Sequence, residues 1–240
     1  ATGYAGIVHF TSTDSLATLP ADAALVAGTG TFSATLKTGS TQSVSAADTA
    51  TPSISGGGPV AVSGLPASMF NVQSSGTSVA GSPLAFTVAA QDQYGNTDGG
   101  YAGTVHFTSG DPSATLPADS ALTSGTGTFS VTLVTSGSQI VSATDTVNPS
   151  VTGGMMVTVS ASGAASFSLT VPATATAATG LGFSVSALDG FGHIATAYTG
   201  TVHLPSPCTG QSLPGDWPHT PRPGRSGAPP PPPRRHTPPG

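Results

Sequence analysis

A ten-residue stretch recurs at a constant interval along this chain. It reads GYAGIVHFTS at residues 3–12, GYAGTVHFTS at 100–109 and AYTGTVHLPS at 197–206, so that each copy begins 97 residues after the one before. The surrounding sequence follows the same interval, because residues 1–66 match residues 98–163 without a gap at more than half of their positions. Such self-similarity over a fixed period is the signature of a repeated structural unit.

The length of the period indicates what the unit is. Solenoid repeats run to about 20–50 residues, whereas a β-sandwich domain needs about 100. We therefore predict a partial unit at residues 1–66 that lacks its first strands and a complete unit at residues 67–163. A second partial unit follows at residues 164–217, and a tail at residues 218–240. These segments are called the first, second and third units and the tail below.

Composition and alternation both favour strands over helices. All ten acidic residues are Asp, and Thr, Ser and Val are abundant, which is typical of strands and turns. Apolar side chains alternate with small or polar ones, as in the run Leu84, Phe86, Val88 and Ala90. Alternation with period two directs one set of side chains into a core and the other toward water. About seven such runs, separated by Gly and Asn turns, predict an all-β unit with Greek-key topology.

Residues 1–217 resemble the bacterial Ig-like repeats of large secreted and surface proteins, of the invasin/intimin and filamin types. The resemblance lies in LAFTVAAQDQYGNTDGGYAGTVHFTS, ATLPAD, GTGTFSVTL and SQIVSATDT. It implies tandem Ig-like β-sandwiches in an extracellular, rod-forming spacer of a bacterial surface protein or adhesin, with neighbouring repeats as partners. It carries over no catalytic residue, and we expect no enzyme activity and no cofactor.

Two other functions stay open. One is an adhesive module that binds a host protein or glycan, and the other is an accessory domain of an extracellular enzyme. The net charge of −5, with a single Lys before the tail, gives no reason to expect binding to nucleic acid. The sequence has no apolar run near 18 residues, so we expect no membrane insertion in this segment.

The tail has a different composition. It reads PHTPRPGRSGAPPPPPRRHTPPG, and a segment so rich in Pro and Arg is predicted to be disordered or polyproline II. Three interpretations remain open: a natural linker, a ligand for proline-binding domains, and translation in a shifted reading frame. The repeat also leads us to expect a chain cut from a longer tandem array. Because residues 1–66 lack the first strands of a sandwich and residues 164–217 hold those strands, we expect chains to associate by complementation or to aggregate.

One loop invites a metal site. The oxygen-bearing residues Asp92, Asn96 and Asp98 lie within the sequence DQYGNTD, and Ca²⁺ prefers such ligands. The alternative is turn chemistry, since Asp and Asn are favoured in any tight turn. The third unit retains the Asp at the first of these positions, as Asp189, and has His193 at the second.

Three equivalent histidines and the single cysteine suggest little chemistry. His9, His106 and His203 occupy one position of three separate units, on the outward phase of the strand, so we expect exposed side chains rather than a shared site. Cys208 has no partner for an intrachain disulfide. Nothing resembles the strand–turn–helix motif that carries a nucleophilic serine.

Overall fold

The structure is a computed structural model that describes residues 3–204 and the backbone of residues 217–218. Within those residues every regular element is a strand, and no helix is long and apolar enough to cross a membrane. The strands are β1 (Ile7–Ser12), β2 (Ala23–Ala24), β3 (Ser40–Asp48), β4 (Ser55–Val62), β5 (Met69–Gln73), β6 (Thr77–Val79), β7 (Pro83–Gln91), β8 (Thr104–Ser109), β9 (Ser120–Ala121), β10 (Thr126–Thr132), β11 (Gly137–Asp145), β12 (Thr152–Ser160), β13 (Ser166–Thr170), β14 (Ser184–Leu188), β15 (Thr201–Val202) and β16 (Trp217–Pro218).

The second unit is an Ig-like sandwich of two sheets. One sheet has three strands in the order β10-β7-β5, and the other has five in the order β6-β12-β11-β8-β9. All neighbours are antiparallel except β6, which runs parallel to β12. Because β5 and β6 form one strand that passes from the first sheet to the second, the unit has the seven strands expected from the sequence. The predicted all-β, Ig-like fold class is confirmed.

The alternating residues form the core between these two sheets. The side chains that pack there include Phe70, Val72, Leu84, Phe86, Val88, Val105, Phe107, Val131, Leu133, Val141 and Val157. The rings of Phe86, Phe107 and Phe129 contact one another, with centroids 4.6 to 5.7 Å apart. Burial of aromatic and branched side chains from both sheets is the main stabilising contribution in such a unit.

The first unit reproduces one of the two sheets. Its order is β2-β1-β3-β4, and Phe10 pairs with Ala46 as Phe107 pairs with Ala143 in the second unit. Among the described residues no second sheet packs on its inner face. Within the described residues, this unit is therefore an open half of a sandwich.

The third unit reproduces strands of the other sheet. β13 and β14 form an antiparallel pair in which Phe167 lies opposite Ala187, in the register of Phe70 and Ala90. β15 pairs with β16 as β8 pairs with β9. Cys208 and the tail beyond Pro218 lie outside the described residues, so the predictions for them are not addressed. The predicted domain boundaries stay a prediction.

Candidate functional site at the joints between units

Buried aspartates recur at equivalent positions and are the most distinctive polar groups of the structure. Each is at most 5% exposed and lies at the end of a strand or within two residues beyond it. They form three pairs separated by 97 residues: Asp14 and Asp111, Asp48 and Asp145, and Asp92 and Asp189. Since a buried carboxylate is costly unless it accepts hydrogen bonds, the donors around each one show what it holds together.

Asp92 lies at the joint between the first and second units. Its Oδ2 accepts a hydrogen bond from the backbone N–H of Leu65, at 2.9 Å, in the linker that joins β4 to β5 at residues 63–68. Its Oδ1 accepts from the N–H groups of Tyr94 and Asn96, at 2.8 and 2.9 Å. Burial raises the pKa of Asp92, but the Asn96 side chain and these N–H donors outweigh burial and lower it to about 2. The carboxylate is therefore ionised at neutral pH and ties the linker to β7.

Asn96 extends this contact into the body of the first unit. Its Nδ2 donates to the carbonyl of Lys37 and to Asp92 Oδ2, at 2.7 and 2.8 Å, and its Oδ1 accepts from the N–H of Gly39 at 2.7 Å. The ammonium of Lys37 also lies over the ring of Tyr94, 5.8 Å from its centroid. One side chain therefore bridges two units through both of its polar atoms, which fixes the direction in which one follows the other.

The joint between the second and third units keeps the carboxylate and changes its surroundings. Asp189 accepts from the N–H of Ser162 in the linker, as Asp92 does from Leu65. His193 stands where Asn96 stands in the first joint, with its Nδ1 3.2 Å from Asp189 Oδ2. Phe191 replaces Tyr94 and packs on Gly81, where a Cβ would lie 2.6 Å from the ring. The second joint thus replaces a polar bridge by an aromatic contact.

The other buried aspartates hold single units together. Asp111 accepts hydrogen bonds from the N–H groups of Val134 and Thr135 and from the Thr135 hydroxyl. Burial raises its pKa, and these donors lower it to about 2. Asp145 accepts from the hydroxyl of Tyr101, which lowers the pKa of Asp145, whereas burial and this bond raise that of Tyr101. These hydrogen bonds stabilise the folded unit.

The three residues predicted as a calcium site lie close together, but their polar atoms form hydrogen bonds within the protein. Asp92 and Asn96 are hydrogen-bonded to each other, and Asp98 accepts from the N–H of Ala67 in the linker and from that of Gly100. Asn96 points its amide nitrogen, a donor, at Asp92. These bonds favour the alternative of turn chemistry, and the calcium site stays a prediction. Within the described residues no three His, Cys, Asp or Glu side chains cluster as metal ligands would.

The predicted surface histidines form exposed ion pairs where the structure describes them in detail. His9 Nδ1 lies 2.7 Å from Asp22 Oδ1, and His106 repeats this contact with Asp119. About half of each side chain is exposed. An exposed ion pair of this kind contributes at most about 1 kcal/mol to the free energy of unfolding. We therefore interpret these pairs as surface contacts and not as part of a functional site.

Sequence reasoning missed the joint itself. The sequence predicts Asp92 and Asn96 only as metal ligands or turn residues, and it gives no link between them and Lys37 or Gly39. A signal was present, because Asp at this position recurs in the third unit as Asp189 although its neighbours change. A carboxylate that persists without its companion ligands is better explained by backbone N–H groups than by a cation.

Comparisons with known proteins find structures of low similarity to this chain. Neither a protein-family model nor a curated protein matches the chain. Invasin, a bacterial integrin-binding protein, is 18% identical with a TM-score of 0.42, over 83% of this chain and 42% of that one. Domains 4–9 of the surface layer protein SbsC are 25% identical with a TM-score of 0.33, over 81% of this chain and 30% of that one.

A third similar structure belongs to an enzyme. A glycosyl hydrolase family 2 member from Bacteroides cellulosilyticus is 14% identical with a TM-score of 0.38, over 54% of this chain and 18% of that one. The chain spans less than half the length of each of these three structures. At these scores the similarities carry no argument about activity or partners, and the function is argued from the chain's own residues.

Proposed function

We propose that this chain is a non-catalytic spacer, a series of Ig-like units that holds other parts of a secreted or cell-surface bacterial protein at a set distance. The observation that carries the proposal is the first joint. There a buried carboxylate binds the linker and Asn96 bridges to Lys37 and Gly39. A joint hydrogen-bonded on both sides resists bending, which is what a spacer requires.

The mechanism is mechanical. At each joint, a carboxylate that directly follows β7 or β14 accepts an N–H from the segment that precedes its unit. Because the same device recurs after 97 residues, successive units meet with related geometry. The partners in this proposal are the neighbouring Ig-like repeats, and the location is extracellular.

The remaining chemistry is compatible with this role. Within the described residues, no buried side-chain nitrogen or oxygen lacks a hydrogen-bond partner, and the low pKa values of the aspartates arise from structural N–H donors. An adhesive or enzyme-accessory role would need a partner surface in addition to these joints.

The spacer proposal is tested by the stiffness of the first joint. Residual dipolar couplings of the full chain report the orientation of the first sheet relative to the second unit. We expect one shared alignment for both in the wild-type chain and separate alignments in Asn96→Ala, with Asn71→Ala as a control on β5. Independent alignment of the two units in the wild-type chain would contradict a stiff spacer.

A further inference from the structure

The inner face of the first sheet is apolar and open. The pocket that lies on it has a volume of about 590 Å³ and is lined by residues such as Val8, Phe10, Leu25 and Ile54. Exposure here contrasts with the second unit, where the equivalent positions are covered by β5, β7 and β10. Val60 is 42% exposed whereas its equivalent Val157 is fully buried.

The strand pair β13–β14 lacks the sheet that its equivalents in the second unit pack against. Its apolar side chains match those of β5 and β7, which cover the five-stranded sheet of the second unit. Phe167 is 44% exposed, against 3% for Phe70, and Leu169 is 53% exposed, against 7% for Val72. Within the described residues, no sheet packs against this pair. The chain therefore carries one half of a sandwich within residues 7–62 and strands of the complementary half within residues 166–188.

We propose that the open face of the first sheet binds the β13–β14 strand pair of a second copy of this chain. The second unit already contains this contact between equivalent elements, with the same strand registers. The docked geometry follows from it. The carbonyl of Phe167 lies against Gly56, as that of Phe70 lies against Gly153. Phe32 lies opposite Phe183, as Phe129 lies opposite Phe86.

The resulting association is head to tail. Each copy has one acceptor face in its first unit and one donor pair in its third, with the second unit between them. A heterologous contact of this kind continues from copy to copy unless rotation closes a ring. The association uses surfaces different from the two joints, so it is independent of the spacer proposal: failure of either test leaves the other result interpretable.

The acceptor face is tested with two glycines of β4. A Cβ at Gly153 would overlap the Phe70 carbonyl, whereas a Cβ at Gly56 meets nothing within 4 Å in the open sheet. Gly56→Ala should therefore leave the first sheet folded and weaken association by about tenfold or more. The control is Gly58→Ala, which is also unobstructed and whose equivalent in the second unit is Met155. It should associate like the wild-type chain in sedimentation velocity over a concentration series.

The donor pair is tested in the same way. Leu169→Asp changes an exposed residue of the free pair but buries an unpaired charge on docking, which should abolish association. Ser168→Asp, on the opposite face of the same strand, is its control and should associate like the wild-type chain.

A mixture of the two blocked variants gives the decisive result. Gly56→Ala keeps its donor and Leu169→Asp keeps its acceptor. At a concentration where neither variant associates alone, the mixture should therefore form 1:1 dimers that grow no further. The proposal is overturned if the wild-type chain stays monomeric across the concentration series. It is also overturned if Gly56→Ala associates as strongly as Gly58→Ala, or if the mixture remains monomeric.

Discussion

Residues 29–35 and 126–132 have nearly the same sequence and different structures. They read TGTFSAT and TGTFSVT, and only the second is a strand, β10. Both retain the bridge to their own unit, Thr18 with Thr35 and Thr115 with Thr132. The difference is that β10 pairs along its whole length with β7, whereas among the described residues no strand pairs along residues 29–35. Secondary structure here follows the available partner rather than the local sequence.

The largest expected effect breaks the sandwich of the second unit. Gly153→Ala would place a Cβ on the Phe70 carbonyl, and such overpacking should cost about 3 kcal/mol or more of unfolding free energy. Gly56→Ala, the same change in the open sheet, should leave the stability of the monomer within about 0.5 kcal/mol of wild type. Urea unfolding of the full chain, followed by hydrogen exchange of each unit, measures both. Equal losses would show that the two sheets are not differently covered.

The next change exchanges the one residue that differs between the two segments. Val131 is fully buried, so Val131→Ala should destabilise the second unit by about 2 kcal/mol while β10 persists. Ala34→Val should give residues 29–35 no additional amide protection in the monomer, because the substitution does not supply the neighbouring strand that β7 provides for β10. Amide hydrogen exchange on the two variants checks this. Protection of residues 29–35 in monomeric Ala34→Val would attribute the difference to sequence instead.

The stability of the second unit should depend on pH because of its buried carboxylates. The folded-state pKa values of Asp92 and Asp111 are lowered to about 2, below the value of about 3.9 for Asp in an unfolded chain. Their contribution to stability is therefore present above pH 4 and is lost as the pH falls toward 2. Urea midpoints of the second unit should be level between pH 5 and 7 and decline below 4. In Asp111→Asn this decline should be smaller, and an unchanged decline would be inconsistent with the assigned pKa.

The smallest change concerns the surface of the strands that the two units share. His106→Ala removes an exposed pair with Asp119 and should alter stability by less than about 1 kcal/mol. His9→Ala, the matched change in the first unit, should have an equally small effect because its pair has the same geometry. Thermal unfolding of both variants measures this. A large loss from either one would assign the histidine a structural role that its exposure does not indicate.

The sequence predicted the fold through the repeat and the alternation of apolar residues. Phe70, Phe86 and Phe107 lie in the core because period two is a property of the strand itself. The joint was not predictable in this way. The hydrogen bonds of Asn96 join it to Lys37 and Gly39, and the distance between such residues in the sequence gives no local pattern. Asp92 resembles any turn aspartate until its N–H donors are known.

The secondary structure of residues 29–35 marks the limit of local prediction. Their sequence favours a strand as strongly as that of β10. The strand is absent because no neighbouring strand among the described residues pairs with it along its length. Partner availability is a property of the whole assembly and can be read only from the structure. The same holds for the exposed side chains of β13, whose sequence is that of a core strand.

Hydrogen exchange of the 240-residue wild-type chain at low and high concentration tests this account most directly. At concentrations where the chain is monomeric, amides of residues 126–132 should exchange slowly and those of 29–35 quickly. As the concentration rises and copies associate, residues 29–35 should become protected, and in Gly56→Ala they should not. Equal protection of both segments in the monomer, or no gain in protection on association, would contradict the claim that a docked partner makes this strand.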